Sequence, residues 1–425
     1  MNQCVNNLRD SPADCSRIAG VVGGGTVGSV DITLDERRRR LAVRHLLTPS
    51  RRTTTVDEVA DRLVALHSSD PVTVYLSAAL RLREPSIESV DRALYEDRTL
   101  LRHHAMRRTL WAMTPGTAVA AHAGFTRKIA AAERRRTAKL FGIDEASVDD
   151  AIDRVSTIVH RHGGPISTRS VGEQVPELAT PVPVFQGKSY GGQMAIHTRA
   201  LLVAAFEGRI ARGRPLGSWI ASQYDWWPID VWTDGSFDTG LDSGLEEADG
   251  AAAVIERWLA VAAPATLDDL VWWSGATKTL VRAVLDRLGA VAVATDDGTS
   301  AVEGYVLRGD TQPTPDPGPW VSLLPGLDPT PMGWKQRSWY LDDETDRRVT
   351  DRNGNIGPTV WADGRVVGGW TQRKDGTIAH DVDMAMLEPV HHELLEAEID
   401  RLRALVGETR FTPRFPSPNQ QQLLA

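Results

Sequence analysis

At 425 residues the chain is too long for one ordinary core, and roughly 100–200 residues per domain implies two to four. No apolar run nears the roughly 20 residues that span a bilayer, and the start of the chain lacks a basic region followed by an apolar one, so a cytoplasmic protein without a membrane is expected. The formal net charge of -8 hides an asymmetry: residues 1–220 hold 31 Lys+Arg against 23 Asp+Glu, a net +8, and the remainder is at -16. A basic half of this kind fits a face offered to a polyanion, unless Arg37-Arg38-Arg39-Arg40 and Arg134-Arg135-Arg136 are merely solvated helix faces.

Residues 1–31 read as a flexible leader. It contains Cys4 and Cys15, the two cysteines of the chain, which rules out a disulfide framework or a cysteine-based zinc site. Gly23-Gly24-Gly25-Thr26-Val27-Gly28 has G-x-G-x-x-G spacing, but no proper strand precedes it and no amphipathic helix follows until Leu34, so dinucleotide binding is discarded. Within residues 32–115, Val56, Val59, Leu63 and Leu66 form one helical stripe. His67-Ser68-Ser69-Asp70 then interrupts the apolar pattern before Pro71 restarts it, with Asp70 placed to cap a second helix through Val74, Leu76, Ala79 and Leu80. Packing alone does not explain that polar cluster, and a helix N-terminus there carries free N–H groups and partial positive charge.

Residues 116–220 read as a winged helix: a helix from Val148 to His160, a short one from Ser167 to Gly172, a third from Met194 to Ala205, then the turn Glu207-Gly208-Arg209. Residues 221–307 repeat the order, with Ile255, Trp258 and Leu259 on the first helix, Ala265 to Leu270 opening the second, Lys278 to Leu288 as the third and Asp297-Gly298 in the wing. Residues 32–115 are a less regular copy. Residues 308–319, with Pro313, Pro315, Pro317 and Pro319, form a stiff linker. In residues 320–425 short strands at Val321 to Leu324, Thr359 to Trp361 and Val366 to Trp370, with the hairpin signal Asp363-Gly364, suggest a small barrel closed by a helix from Glu388 to Leu405. The class is therefore α+β.

Among chemical motifs, the pairs His103-His104 and His391-His392 diverge and lack a completing carboxylate or cysteine cluster, so no metal is expected. No G-x-S-x-G elbow, Walker loop or zinc-deaminase signature occurs, and no cofactor is expected. Trp219, Trp226, Trp227 and Trp232 offer stacking surfaces or core aromatics.

Two stretches carry a family likeness. Leu323-Leu324-Pro325-Gly326-Leu327-Asp328-Pro329 with Met332-Gly333-Trp334-Lys335-Gln336-Arg337, and Asn355-Ile356-Gly357-Pro358-Thr359-Val360 with Asp363-Gly364-Arg365-Val366-Val367-Gly368-Gly369-Trp370, closely resemble the C-terminal barrel of the winged-helix DNA glycosylases, the family of the bacterial enzyme that unhooks interstrand crosslinks. Pro264-Ala265-Thr266-Leu267-Asp268-Asp269-Leu270-Val271-Trp272-Trp273-Ser274-Gly275 and Met106-Arg107-Arg108-Thr109-Leu110 resemble the same family's third winged helix and central motif, and the likeness runs from about Leu34 to Leu405. It implies three tandem winged helices and a barrel around a DNA channel, a monomer, and catalysis from Gln-x-Gln or Gln-x-Asp followed by residues like Asp70-Pro71. His67 and Ser69 stand where those motif residues belong, so the amides that would hold the attacking water are replaced.

The resemblance implies a monofunctional glycosylase on double-stranded DNA containing N7- or N3-alkylated purines, extending to crosslinks. His67 would accept a proton from water, Ser69 would position that water, and Asp70 would stabilise the sugar cation. Arg107, Thr109, Lys335 and Arg337 match motif positions that would meet DNA, and Asp328 either orients a basic partner or joins the active site. The alternatives are that Asp70 only caps its helix and His67 bonds to backbone, in a non-catalytic winged-helix regulator or lesion-binding protein.

Overall fold

A computed structural model describes residues 31–425 except 189–190, 235–240, 242 and 414–415; the Gly23–Gly28 stretch lies outside the described residues. Helix α1 (Leu34–Arg44) is followed by α2 (Val56–Leu63), which Thr55 caps by accepting from the Glu58 N–H. The apolar stripe overstates α2 by one turn. Val64 turns the chain with φ of 63°, and Leu66 is buried from strand β1 (Leu66–His67) instead of from a helix. The polar cluster therefore lies at a strand-to-helix junction, leading into α3 (Pro71–Ala79). Helix α4 (Ile87–Tyr95) and the hairpin β2 (Leu101–His104) and β3 (Leu110–Met113) complete this unit, with β3 pairing antiparallel to both β1 and β2.

The same order returns twice. The second unit has α5 (Glu145–His162), β4 (Ile166–Ser167), α6 (Thr168–Gln174), α7 (Ile196–Phe206) and the hairpin β5 (Ile210–Pro215) with β6 (Tyr224–Pro228), and β6 is again central. The third has α8 (Glu247–Ala262), a bridge from Ala265 to Tyr305, α9 (Leu267–Ser274), α10 (Lys278–Leu288) and the hairpin β7 (Val291–Asp296) with β8 (Ala301–Val306). Asp31–Ile32 extend this last sheet by pairing parallel to β7.

The C-terminal region is an antiparallel meander of β9 (Val321–Leu324), β10 (Thr359–Ala362), β11 (Arg365–Gln372) and β12 (Ile378–Val382), followed by α11 (Pro389–Val406). Asp363 and Gly364, with φ of 45° and 84°, make the two-residue hairpin turn that their sequence signals. Among the described residues no ladder joins β9 to β12, so the expected small barrel is an open sheet. Its apolar face is covered without closure, because Leu395, Ile399 and Leu402 of α11 pack with Val321, Leu323, Val360 and Trp370.

The first and third units share one core, and the second keeps its own around Val148, Ile152, Val155 and Leu201. Helix α3 lies at the seam of two cores: Val74, Tyr75, Ala78 and Ala79 enter the shared core, while Leu76 and Leu80 enter the C-terminal one. Burial on both sides fixes α3 and, with it, the polar cluster at its start. Arg37 and Arg40 of the first arginine run serve the interior, whereas Arg135 and Arg136 of the second are exposed. Arg37 stacks 4.1 Å from the Trp339 ring and donates to Asp296 O at 2.9 Å, Arg40 is buried on Glu36 and Asp310, and Glu36 accepts from the Thr314 N–H at 3.0 Å. Residues 308–319 are thereby strapped to α1. Arg134 pairs with Asp149 and Glu207, and Arg136 with Glu133. Among the described residues no helix is long and apolar enough to cross a membrane.

Candidate active site

Each member of the polar cluster has a different set of neighbours. Asp70 caps α3, its Oδ1 accepting from the Val72 N–H at 2.9 Å. Ser68 is buried: its N–H donates to Leu110 O at 2.9 Å, and its Oγ accepts from Arg102 Nε at 3.0 Å. Ser69 is exposed, with Oγ accepting from the Leu110 N–H at 3.4 Å. His67 packs edge-on against Trp111, ring centroids 5.6 Å apart. Its Nδ1 is buried with no hydrogen-bond partner, while the residue as a whole is half-buried.

Burial lowers the His67 pKa to about 4; the positive charge of Arg107 pushes the same way, and Asp328 pulls weakly against both. The ring is therefore neutral near pH 7, which suits a hydrogen-bonding group better than a proton acceptor.

Arg107 exerts its charge on His67 from the turn of the β2–β3 hairpin. Arg107 and Arg108 both hold positive φ, 56° and 62°, a conformation costly for side-chain-bearing residues, and the turn is closed by the Ala105 N–H donating to Thr109 O at 3.0 Å. The hairpin turn sets the Arg107 guanidinium 4.1 Å from the centre of the Trp272 ring, and Arg337 approaches the same ring at 5.6 Å. One turn earlier on α9, Asp268 binds Lys335 at 2.9 Å and Lys278 at 2.8 Å. Arg107, Arg337, Lys335 and Lys278 thus gather around one face of α9, with Thr109 partly buried at the foot of the hairpin.

The model of the family described as "DNA glycosylase AlkZ-like" matches residues 59–405. The chain belongs to this DNA glycosylase family. Membership makes it a hydrolase of N-glycosyl bonds. Among solved structures, the DNA glycosylase AlkZ of Streptomyces sahachiroi is similar in fold, with a TM-score of 0.68 at 21% identity over 88% of this chain and 97% of that one. No curated protein matches the chain.

In this glycosylase Asp328 is sealed off from solvent. Its two oxygens each take a 2.8 Å hydrogen bond from Arg81, and Oδ1 also accepts from the Thr330 N–H. Burial would raise its pKa, yet the Arg81 charge overcomes that and holds the carboxylate below its ordinary range. Arg81 also donates to Thr330 Oγ1 and His45 O, and Thr73 of α3 donates to Gly326 O at 2.7 Å, so the loop around Asp328 braces the helix behind the polar cluster. Trp226 and Trp232 are core residues, and the partly buried Trp219 and Trp227 pack on Tyr75 and Trp232. His103 pairs with His122 at 3.1 Å while His104 stacks on Phe206 at 4.1 Å, so the adjacent rings do diverge.

Sequence reasoning missed the neighbours of Ser69. Arg102, Arg212, Pro215, Ser222 and Tyr224 line a cleft of about 30 Å³ beside it, the room of a water molecule or two. A faint signal existed in the polar alternation of Arg212 and Arg214 along β5, but residues over 100 positions apart cannot be paired from one sequence.

Proposed function

We propose that this glycosylase hydrolyses the N-glycosidic bond of N7- or N3-alkylated purines in double-stranded DNA, with the target nucleotide turned out of the stack against the β1–α3 junction. The three repeated units read as winged helices lining a DNA channel with the C-terminal sheet, and the cations around α9 neutralise phosphates there. An alkylated purine is already cationic. Its bond to C1′ breaks with the electron pair passing to the ring nitrogen, so the base leaves neutral and needs no acid. Water then adds to the oxocarbenium-like sugar and releases a proton to solvent, giving an abasic site. Lys335 is held on Asp268, which favours water over an amine as nucleophile.

With its pKa near 4, His67 acts as a neutral acceptor that orients water, the service an amide would give at that position. Ser69 faces the water-sized cleft, and the Asp70 carboxylate supplies negative charge for the developing sugar cation. The observation that carries this reading is the His67 ring itself: its buried Nδ1 is unsatisfied at a cost of roughly 1–3 kcal/mol, and its packing against Trp111 requires no nitrogen. Incubation with methylated duplex DNA should release 7-methylguanine and 3-methyladenine, measured by chromatography, and leave alkali-labile abasic sites. Tight DNA binding without base release across several alkyl lesions would overturn the enzyme's assignment to alkylpurines and favour a lesion-binding role.

A further inference from the structure

We propose that Arg102 and Arg212, together with the hydroxyls of Ser69 and Ser222, form a built subsite for one backbone phosphate of the DNA strand that carries the target nucleotide. This protein neutralises its buried arginines with care. Arg81 has Asp328, Arg52 has Glu398, and Arg40 has Glu36 and Asp310. The two guanidiniums at the Ser69 cleft, on the buried Arg102 and the half-buried Arg212, depart from that rule. Arg102 is buried and donates only to neutral groups, Ser68 Oγ and O, Tyr95 Oη and Gly213 O. Arg212 lies 4.5 Å from the Tyr224 ring and 5.7 Å from the Trp226 ring, touches His104 Nε2 at 3.5 Å, and leaves a buried Nε unpartnered. Neither has a carboxylate oxygen within 4.0 Å among the described residues.

Two desolvated like charges side by side are costly unless an anion completes them. Burial and the nearby Arg102 charge together lower the Arg212 pKa, while Tyr224 alone opposes them. The cleft admits one or two oxygen atoms, so a non-bridging phosphate oxygen enters while the strand runs outside. Arg102 already holds Ser68, so a phosphate seated here would fix the backbone directly beside His67 and Ser69. The inference rests on the reading that the target nucleotide meets the β1–α3 junction, but its test needs no base release.

The experiment measures binding of the native protein and Arg212→Gln to duplexes containing a tetrahydrofuran abasic-site analogue, with a neutral methylphosphonate walked through the phosphates flanking it. Arg212→Gln is expected to weaken binding roughly tenfold or more, and to reduce the slope of log affinity against log salt by about one. A single methylphosphonate position should weaken the native protein to the same extent and leave Arg212→Gln unaffected. The unliganded variant should melt no lower than the native protein, since an uncompensated charge has been removed. Arg212→Lys, which keeps the charge, should retain the salt slope, and it carries the test should Arg212→Gln fail to fold. Equal affinity and salt slope in native protein and Arg212→Gln, or no methylphosphonate position coupled to Arg212, would overturn the proposal. Loss of coupling with base release intact would reject the subsite alone, whereas coupling without base release would reject the alkylpurine assignment alone.

Discussion

The first and third units both hand a short extended segment over to a helix, and they equip that handover very differently. In the third, Thr266 caps α9 by accepting from the Asp269 N–H, and Asp269 returns the bond in a reciprocal capping box. The second unit does the same more simply, with Ser167 accepting from the Ser170 N–H. In the first, Asp70 performs the cap, yet His67, Ser68 and Ser69 crowd in ahead of it. Removing what every copy needs leaves what only one copy has. The cap accounts for Asp70 and Arg102 accounts for Ser68, which leaves the half-engaged His67 ring and the exposed Ser69 as the surplus.

The sharpest way to break this comparison is to remove the surplus. His67→Ala should slow single-turnover base release by at least about a hundredfold while leaving the melting temperature unchanged or slightly higher, because an unsatisfied buried nitrogen goes with it. His67→Gln restores a neutral donor and acceptor and should stay within roughly tenfold of the native rate. A glutamine variant as slow as the alanine one would sink the water-orienting role and point to proton abstraction by the ring.

Asp70 tests whether a cap can also be a catalytic charge. Asn caps a helix about as well as Asp, so Asp70→Asn should change stability by less than about 0.5 kcal/mol. If the carboxylate stabilises the sugar cation, the same change should lower the rate by roughly tenfold to a hundredfold. An unchanged rate would reduce Asp70 to the structural role that Thr266 and Ser167 fill.

Acid offers a third probe. The folded pKa of His67, about 4, lies below the ordinary 6.5, so as pH falls below 6.5 the unfolded chain takes up a proton that the folded chain refuses. Stability is lost progressively between pH 6.5 and 4, on the order of 2 kcal/mol after discounting for partial exposure of the ring. His45, held to about 3 by burial with help from Arg81, has the same sign, so the quantity to measure is the difference between native protein and His67→Gln. Denaturant midpoints for the two should move apart through this interval, and parallel curves would mean that the ring is not held neutral by the fold.

How much of this could be read from the chain depends on the range of the physics involved. Helix α10 runs from Lys278 to Leu288 as its periodicity indicates, and Asp363-Gly364 turns where its dipeptide says, because both are local effects. The last turn assigned to α2 is lost to a tertiary effect: Leu66 satisfies the helical stripe but is buried by pairing with Ala112 in a strand. The α1 arginines read as surface groups in the sequence because their partners, among them Asp310 and the carbonyls of Asp296 and Trp339, lie more than 250 residues away. At the site, the order His67, Ser69, Asp70 is explicit in the sequence. The Arg107–Trp272–Arg337 stack joins three separate segments and the Arg102–Arg212 cleft joins two of the repeated units, which no single periodicity encodes.

The smallest expected effect closes the comparison from the other side. Thr266→Ala removes two hydrogen bonds from the α9 cap, the one Thr266 Oγ1 accepts from the Asp269 N–H and the one it donates to Asp269 Oδ2, and should cost about 1 kcal/mol of stability. Asp269 keeps its other duties, accepting from the Lys335 and Gln336 N–H groups at 2.9 and 3.1 Å, so the segment that carries Lys335 and Arg337 stays docked on α9. Base release measured well below the melting transition should then match the native rate within a factor of two or three. A much larger loss of rate would mean that the third junction also reaches the chemistry, through the Trp272 ring that its helix presents to Arg107, and the division between a bare cap and an equipped one would no longer separate structure from function.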